Sequence, residues 1–541
     1  MKAALPTRSI LLTLIASAIF LGSAAFAHAQ AGGGLDLRWA RIAGGGATST
    51  GGTLEVGSSI GQLEAGGLSG GAFSLEGGFW PAAAQVPSSQ VLCVDDGGGA
   101  TDAPCANPTA FTAIQDAVTA AAAGDEIRIA AGTYVTSAGT AVVTLNKSLS
   151  LTGGYPGGAG GWTTPGDETL TVIDGQGTRQ GINVSLSGLS VTVQNLSVAG
   201  GAVVLPNPSM LSNSLPVSAQ FLQQSSGTIS GTAPITVTGV LTWSGGTQTG
   251  PGTTVILPGA QLNINGNVNA SNGRVVNNLG TAAWSSGNIN LGGAGGGTLN
   301  NSGTFTVLGN GGIGNGIANN SGTFVKTSGG ATTASFPFTF NNSGLVDLQA
   351  GTMQIGFGGS TGTFSVAAGA VLNLCNCGHH VLQPASSVEG EGSLLVSGTF
   401  GSGADHVISG TLALPVIDLD SGRVNIDAVG ANAASTVMTL TLDGGTLGGT
   451  RTISVTNALS WLRGNMDGPG HTDVLPGAQF NINPTLSSIQ AAEGRVINNY
   501  GAATWSGSQL VSLGGCCGTD AATLNNHAGA TFTILNNQTL T

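Results

Sequence analysis

The dipeptide Asn-Asn recurs along the C-terminal part of the chain at nearly regular intervals. The pairs are Asn277-Asn278, Asn300-Asn301, Asn319-Asn320, Asn341-Asn342, Asn498-Asn499 and Asn525-Asn526. The first four pairs are separated by 23, 19 and 22 residues, and three of them continue as Asn-Asn-Ser-Gly. A step near twenty residues fits one coil of a β-solenoid, in which short strands are joined by turns. Stacked coils would place these side chains above one another as amide ladders. Because Asn tolerates the left-handed conformation, the pairs are predicted to lie in turns.

A longer period overlies the short one. Residues 227–246, "GTISGTAPITVTGVLTWSGG", match residues 445–464, "GTLGGTRTISVTNALSWLRG". Three pairs of large side chains carry the match at offsets of 218 to 221 residues: Trp243 with Trp461, Arg274 with Arg495, and Trp284 with Trp505. The second long repeat starts at about residue 443 and lacks a counterpart of the 320–400 stretch. We therefore expect a solenoid over residues 221–541 whose second long repeat is incomplete, as in a piece of a longer array.

Composition excludes several classes of protein. The chain has 541 residues, of which 93 are Gly, while only 7% are charged and the net charge is −12. With 13 basic residues it lacks the Lys and Arg clusters that nucleic-acid binding needs. The 40% apolar content does not fit a charged disordered tail. Because Gly, Thr, Ser, Asn and Val are abundant, strands and turns are favoured over helices.

The N-terminus has the pattern of a secretory signal peptide. Lys2 and Arg8 precede an apolar run from Ile10 to Leu21, and Ala27-His28-Ala29 is an A-x-A site. We predict a signal peptide over residues 1–29 and a secreted or cell-surface protein. The sequence has no later apolar run long enough for a membrane span, so the mature chain is predicted to have no transmembrane segment.

Two further regions precede the repeats. Residues 30–90 are predicted to form a Gly-rich β module followed by a linker at 82–90. Residues 91–220 contain the segment "FTAIQDAVTAAAAGDEIRIAAGTYV" from Phe111 to Val135, which predicts a helix near 111–123 and then strands. We expect the helix to cap one end of the solenoid, because an uncovered end exposes strand edges.

This capping helix, followed by short strands with "GTY" and "GGY" turns, resembles the start of right-handed parallel β-helix proteins of the pectin-lyase-like group. Residues 221–541 resemble the Gly/Thr/Asn-rich repeats of bacterial adhesin-like surface proteins. The fold class is therefore predicted as all-β: a right-handed parallel β-helix with a short N-terminal capping helix and a small Gly-rich β module before it. About twenty coils would give a rod on the order of 100 Å long.

The six Cys residues form three close pairs in a chain expected to meet an oxidising compartment. Cys93 and Cys105 flank a polar loop and are a candidate disulfide. Cys375, Cys377, His379 and His380 are candidate metal ligands, with soft S and N donors that suit zinc or copper. The alternative is a turn insertion with a disulfide or free thiols. The spacings of Cys375-Cys377 and Cys516-Cys517 are expected to strain a bridge within either pair.

Carboxylates supply the candidate catalytic residues. Asp418 and Asp420 are predicted on one side of a strand, with Asp405 and Asp427 within a coil. They suit a general acid/base pair or a calcium site, and the alternative is a solvated face. A second acidic group, Asp95, Asp96 and Asp102, suits calcium or Asx turns.

The repeated Trp243/Trp461 and Trp284/Trp505 suit either sugar stacking or core packing. The leading hypothesis is an exported, structural or adhesive surface protein without enzymatic activity or cofactor, binding polysaccharide or cell-surface components through many weak contacts. The alternative is a carbohydrate-active β-helix enzyme, a polysaccharide lyase or hydrolase. An ice-binding solenoid would need a Thr ladder in every coil, which the uneven repeat steps do not favour.

Overall fold

The structure is a computed structural model. It describes residues 47–51, 54–58, 67–70, 73–76 and 89–541, apart from residues 187, 206–208, 294, 333, 336–337, 376, 398–404 and 515–519. The chain divides into two compact units, Met1–Ser88 and Ser89–Thr541. In the first unit, Ala47–Gly51 pairs antiparallel with Leu54–Ser58, and Gly67–Gly70 pairs antiparallel with Phe73–Glu76. The predicted signal peptide, residues 82–88 of the predicted linker, and Cys516-Cys517 lie outside the described residues.

The second unit is a parallel β-solenoid of about 17 turns. Each strand pairs in parallel with the equivalent strand one turn further along the chain, as Thr298–Asn301 does with Ile317–Asn320. At a strand spacing of about 4.8 Å the solenoid is about 80 Å long. It has fewer turns than predicted because the first turns are longer; Gly132 pairs with Thr171, so that turn contains many more residues than the Asn repeats.

One short helix and bent strands form the first turns. The helix spans Ile114–Ala120, and its buried Ile114, Ala117 and Val118 pack onto the strands of the first turns. The predicted helix started too early, because Phe111 bridges the backbone of Val94 instead. The strands of this region are Val91–Val94, Glu126–Ala130, Gly132–Tyr134, Ala141–Leu145, Ser150–Tyr155, Thr171–Asp174, Gln180–Val184, Ser190–Gln194, Leu196–Leu205, Met210–Asn213, Val217–Gln224, Thr228–Gly231, Ile235–Trp243 and Thr247–Thr249.

From residue 253 each turn has three faces. The asparagine face consists of Thr253–Ile256, Val275–Asn278, Thr298–Asn301, Ile317–Asn320, Thr339–Asn342, Gly358–Ser360, His380–Leu382, Asp405–Ile408 and Arg423–Ile426. The threonine face follows it in each turn and consists of Gln261–Asn265, Thr281–Ser286, Thr304–Val307, Thr323–Lys326, Leu345–Leu348, Thr363–Val366, Ser387–Gly390 and Thr411–Ala413. The third face consists of Val268–Ser271, Ile289–Asn290, Ile313–Gly314, Ala331–Thr332, Ala334–Ser335, Thr352–Ile355, Val371–Cys375, Ser393–Ser397 and Val416–Leu419.

Two long strands that bend around corners lead into the last turns. These strands are Ala434–Gly448 and Thr452–Met466. The remaining strands are His471–Val474, Gln479–Ile482, Ile489–Ala491, Val496–Asn499, Ala502–Trp505, Val511–Ser512, Thr523–Asn526 and Thr531–Ile534.

The core is a continuous column of alternate residues from the stacked strands. In Thr304–Val307 the second and fourth residues are buried while the two Thr residues are half-exposed. Phe305 pairs in register with Phe324, and their rings stack with centroids 5.2 Å apart. Because each turn buries only a few side chains, stability comes from stacking on the turns above and below.

The Asn pairs occupy a different place from the one predicted. They are the last two residues of strands, as in Thr298–Asn301 and Ile317–Asn320. The turn is made by the Ser-Gly that follows them. The pairs are therefore sheet residues, and the sheet register aligns them from turn to turn.

Candidate functional site

The inner Asn residues form a buried ladder on the asparagine face. The Nδ2 of Asn278 donates to the Oδ1 of Asn301 at 2.7 Å, Asn301 donates to Asn320 at 2.7 Å, and Asn320 donates to Asn342 at 2.8 Å. Each Nδ2 also donates to a backbone carbonyl in the next turn, such as that of Thr304 at 3.0 Å. The buried amide N–H groups are thus hydrogen-bonded, as buried polar groups require, while the Oδ1 of Asn278 at the start of the ladder is buried without a partner.

The outer Asn residues form a second ladder that is half-exposed. The Nδ2 of Asn300 donates to the Oδ1 of Asn277, Asn319 donates to Asn300, and Asn341 donates to Asn319, each at 2.9 Å. The direction is opposite to that of the inner ladder. The backbone N–H of Gly359 donates to Asn341 at 3.1 Å and ends the ladder. Asn300, Asn319 and Asn341 each use one side-chain N–H in the ladder and keep a second N–H that the ladder does not use, while Asn277 only accepts.

A groove of about 580 Å³ runs along the corner beside these ladders. Its lining residues come from successive turns, and none of them is charged or aromatic: Asn319, Asn320, Ser321, Asn341, Asn342, Ser343, Gly359, Ser360, Thr361, Gln383, Pro384 and Ala385. The hydroxyls of Ser302 and Ser321 lie 2.9 Å apart and extend the polar corner by a further turn. The groove is therefore uncharged and has amide and hydroxyl side chains among its lining residues, while most of its accessible wall is apolar.

Beyond Asn342 the buried polar groups continue into two histidines. Ser360 pairs with Asn342 in the sheet, and its Oγ lies 3.0 Å from the Nε2 of His380. The backbone N–H of His380 donates to the Nδ1 of His406 at 3.1 Å. Burial lowers the pKa of His380 to about 4 and also lowers the pKa of His406. Both imidazoles are therefore neutral at pH 7. Sequence analysis missed this network, although Ser360 follows Asn342 at close to the repeat spacing.

The Cys and His candidates separate into different roles. Cys375 and Cys377 form a disulfide, which is one of the alternatives to metal ligation that the sequence left open. The metal-binding form of Cys is the thiolate, which the disulfide removes. His380 is buried in the histidine network, whereas its neighbour His379 is exposed. In the described part of the chain, no three His, Cys, Asp or Glu side chains lie close enough together to hold a metal ion.

The four carboxylates considered for catalysis are divided between faces. Asp418 lies on the third face, Asp420 at the following corner, and Asp405 and Asp427 at opposite ends of asparagine-face strands. The Nε of Arg423 lies 3.8 Å from the Oδ1 of Asp405. Asp427 accepts the backbone N–H of Thr450 at 3.2 Å. Burial raises the pKa of Asp418, and nearby Asp420 adds to the rise, while a hydrogen bond with Thr441 opposes it.

The repeated Trp and Arg side chains are core residues. Trp243, Trp284, Trp461 and Trp505 are all at most 2% exposed, so stacking on a sugar is excluded for them in this fold. The indole N–H groups of Trp284 and Trp461 donate to backbone carbonyls at 3.0 and 3.2 Å. Arg274 and Arg495 are equally buried.

The N-terminal candidates also have structural contacts. Cys93 and Cys105 form a disulfide. Asp95 accepts the N–H of Gly97 at 3.0 Å, as in an Asx turn, and Asp102 accepts the N–H of Gly160 at 2.7 Å. Asp95 therefore braces its own turn, and Asp102 braces the backbone of a distant loop.

The threonine face does not carry an uninterrupted Thr ladder. Thr281, Thr304 and Thr323 are in register, but Leu345 takes the next position and Ser387 a later one. Asp347 and Glu389 project from the same face. A flat Thr array of the kind expected for ice binding is therefore broken.

The class of protein that the fold and ladders define is a parallel β-solenoid with paired asparagine ladders. No protein-family model matches the sequence, and no curated protein or solved structure is significantly similar to it. None of the helices in the described ranges is long and apolar enough to span a bilayer.

Proposed function

We propose that this chain is an exported, non-enzymatic β-solenoid of a bacterial surface that adheres to neutral polysaccharide along the asparagine groove. The signal-peptide pattern at residues 1–29 supports export. The resemblance to pectin-lyase-like β-helices and adhesin-like repeats supports a surface role. The parallel solenoid supplies the rigid support on which identical groups repeat.

The observation that carries the proposal is the outer ladder with its adjoining groove. Each rung from Asn277 to Asn341 presents an amide N–H that the ladder leaves free, and Ser321 and Ser343 add hydroxyls at the corner. Sugar hydroxyls both donate and accept hydrogen bonds, so they match such groups. A charged ligand would find no counter-ion among the groove's lining residues.

The groove also predicts how strong the binding is. Because no aromatic side chain lines it, it lacks the stacking that tightens sugar binding at single sites. Each rung therefore contributes little, and affinity has to grow with the number of rungs that one polysaccharide chain occupies. Long chains should bind measurably while mono- and disaccharides do not.

Affinity electrophoresis through gels containing soluble xylan, galactomannan or dextran tests the proposal. We expect at least one polysaccharide to retard the protein. The triple variant Asn300→Ala, Asn319→Ala, Asn341→Ala should migrate as in an empty gel. The matched control Thr304→Ala, Thr323→Ala, Thr363→Ala changes half-exposed residues of the threonine face and should be retarded like the wild type. Equal retardation of both triple variants would remove the groove from the proposal.

A carbohydrate-active enzyme is the second candidate, and the raised pKa of Asp418 is the observation that favours it. A half-buried carboxyl of this kind suits a general acid. Incubation with the same polysaccharides, followed by reducing-end and unsaturated-product assays, separates the two functions. The adhesive proposal expects no cleavage by the wild type, whereas cleavage that Asp418→Asn abolishes would establish the enzyme.

A further inference from the structure

The asparagine face can be followed through the solenoid by its strand pairing. After Arg423–Ile426 it continues in register from Arg423 to Thr446, from Thr446 to Asn465 and from Asn465 to Gln490. In the last turns, the asparagine face therefore runs through the strand Ile489–Ala491.

The second pair of ladders lies on another face. Asn498 and Asn499 belong to the next strand, Val496–Asn499, which pairs with His471–Val474. The strand His471–Val474 pairs with residues 453–455 of the preceding turn. Residues 453–455 pair in the same way with residues 435–437. Residues 434–437 stack on Thr411–Ala413 of the threonine face, where Asn432 donates to the carbonyl of Ser409 at 3.3 Å.

The second long repeat is thus turned by one third of a turn relative to the first. The tryptophans show the same displacement independently. Trp243 pairs with Ile264 on the threonine face, whereas Trp461 pairs with Leu442, which pairs with Leu419 on the third face. The offset between the repeats therefore corresponds to a whole number of turns plus one strand.

The second ladders keep the hydrogen-bond pattern of the first. The Nδ2 of Asn499 donates to Asn526 at 2.7 Å, and in the opposite direction Asn525 donates to Asn498 at 3.0 Å. Asn498 donates further to the Oδ1 of Asp473 at 2.8 Å. The same hydrogen-bonded amides therefore recur on an adjacent face, where Asn525 is half-exposed, Asn498 is buried, and the Nε2 of His527 lies 3.1 Å from the Oδ1 of Asn498.

We propose that the two outer ladders hold two separate polysaccharide chains, so that one molecule bridges them. This inference rests on the proposed function. An extended chain that leaves Asn341 along the asparagine face meets Gly359, Val381 and Val407, which offer no side-chain hydrogen bonds. To reach Asn498 it would have to cross a corner of the solenoid onto the next face. A stiff chain that follows one ladder therefore cannot follow the other.

A sandwich assay tests the bridging. Xylan (or whichever of the three polysaccharides retards the protein) is immobilised, the protein is bound, and the fluorescein-labelled form of the same polysaccharide is added after washing. We expect the wild type to capture labelled chains. Two variants each disable one ladder: Asn300→Ala with Asn319→Ala, and Asn498→Ala with Asn525→Ala. Each should still bind the immobilised layer but lose at least tenfold of the captured label.

The outcomes separate this inference from the proposed function. Binding to the layer without capture by the wild type would overturn bridging and leave the adhesive function intact. Full capture by the Asn498/Asn525 variant would also overturn bridging. Failure of the wild type to bind any of the polysaccharides would overturn both. The control Thr504→Ala, on the strand next to the second ladder, should capture label like the wild type, and matched melting curves exclude unfolding of the variants.

Discussion

The two long repeats place the same large side chains in the core and surround them differently. Arg274 and Arg495 are both buried, and each Nη2 donates to a Thr hydroxyl, of Thr254 at 2.6 Å and of Thr472 at 2.7 Å. In the second repeat the carboxylates of Asp467 and Asp473 oppose the fall in the pKa of Arg495. No carboxylate does this for Arg274, and burial lowers the pKa of both arginines to about 10.

The difference shows which parts of the repeat the fold requires. The guanidinium position is kept in both repeats, and in both its Nη1 packs against a Gly of a Gly-Pro-Gly turn, Gly252 or Gly470. The carboxylates are not kept: Thr249 and Val255 stand where the second repeat has Asp467 and Asp473. Packing and backbone contacts thus hold the turn, while the surrounding charges vary.

The largest expected effect comes from the buried ladder of the first repeat. Asn301→Ala removes an acceptor of Asn278 and a donor to Asn320 inside the core. We expect a loss of roughly 3 kcal/mol in the free energy of unfolding. The adjacent Asn300→Ala changes a half-exposed rung that water can replace, so it should cost less than about 1 kcal/mol.

Denaturant unfolding and hydrogen exchange measure this pair of variants. Because a solenoid is quasi-one-dimensional, the loss should concentrate in the strands that flank the altered rung. Equal losses for Asn300→Ala and Asn301→Ala would contradict the distinction between the outer and inner ladders.

Acid should lower the stability of the solenoid turns that contain His380 and His406. The described strands of the second repeat have no equivalent of this pair of buried histidines. The folded pKa of His380 is about 4, below the roughly 6.5 of an unfolded His. The unfolded chain therefore binds more protons, and this contribution to stability is lost as pH falls from about 6.5 to 4. The expected loss is roughly 1.4 kcal/mol per pH unit in that window.

Hydrogen exchange between pH 7 and 4.5, corrected for intrinsic rates, reads out this effect. The strands Gly358–Ser360 and His380–Leu382 should lose protection, while Thr298–Asn301 should not. His380→Gln should be less stable at pH 7 and flatter with pH. If the variant keeps the wild-type pH dependence, His380 is not the titrating group.

Sequence reasoning succeeded where one property repeats along the chain. The Asn spacing predicted the coil and the stacking of Asn side chains from turn to turn. Sequence reasoning failed where the pairing of strands from different turns decides on which face a residue lies. Counting residues does not show that Trp243 and Trp461 lie on different faces, because corners of unequal length change the number of strands per offset.

The candidate site was predicted only in part. The ladder of amides followed from the Asn period, but the Asn pairs lie in strands because their partners are in the sheet rather than in their own turn. Burial of His380 and His406 was not predictable, because polar residues at core positions depend on contacts such as that with Ser360 in another turn.

Replacing each buried Arg with Met should give opposite results in the two repeats. Arg274→Met removes a buried cation with unpartnered Nε and Nη1, so stability should stay level or rise by about 1 kcal/mol. Arg495→Met removes the attraction between the buried cation and the carboxylates of Asp467 and Asp473, although Asp467 keeps its ion pair with Arg423, and should lose roughly 1–2 kcal/mol. Thermal melts of both variants measure these changes in stability. Losses of the same size in both would show that the carboxylates do not distinguish the repeats.

The smallest expected effect comes from exchanging the residue that pairs, from the preceding turn, with the first Asn of each outer ladder. Asp473 pairs with Asn498 and accepts its Nδ2 at 2.8 Å, while Val255 pairs with Asn277 at the equivalent position. Asp473→Val should cost about 1 kcal/mol, because it removes this acceptor and a charge beside Arg495.

Val255→Asp should give Asn277 the acceptor that Asn498 already has. It would also place a carboxylate near Arg274, so we expect a gain of about 0.5 kcal/mol. High salt should reduce the gain, because position 255 is half-exposed and the charge of the new carboxylate is therefore partly screened. Melting curves at low and high ionic strength measure both parts. A loss on Val255→Asp at low salt would mean that the first ladder depends on an apolar residue beneath it, and that the two repeats are not interchangeable at this position.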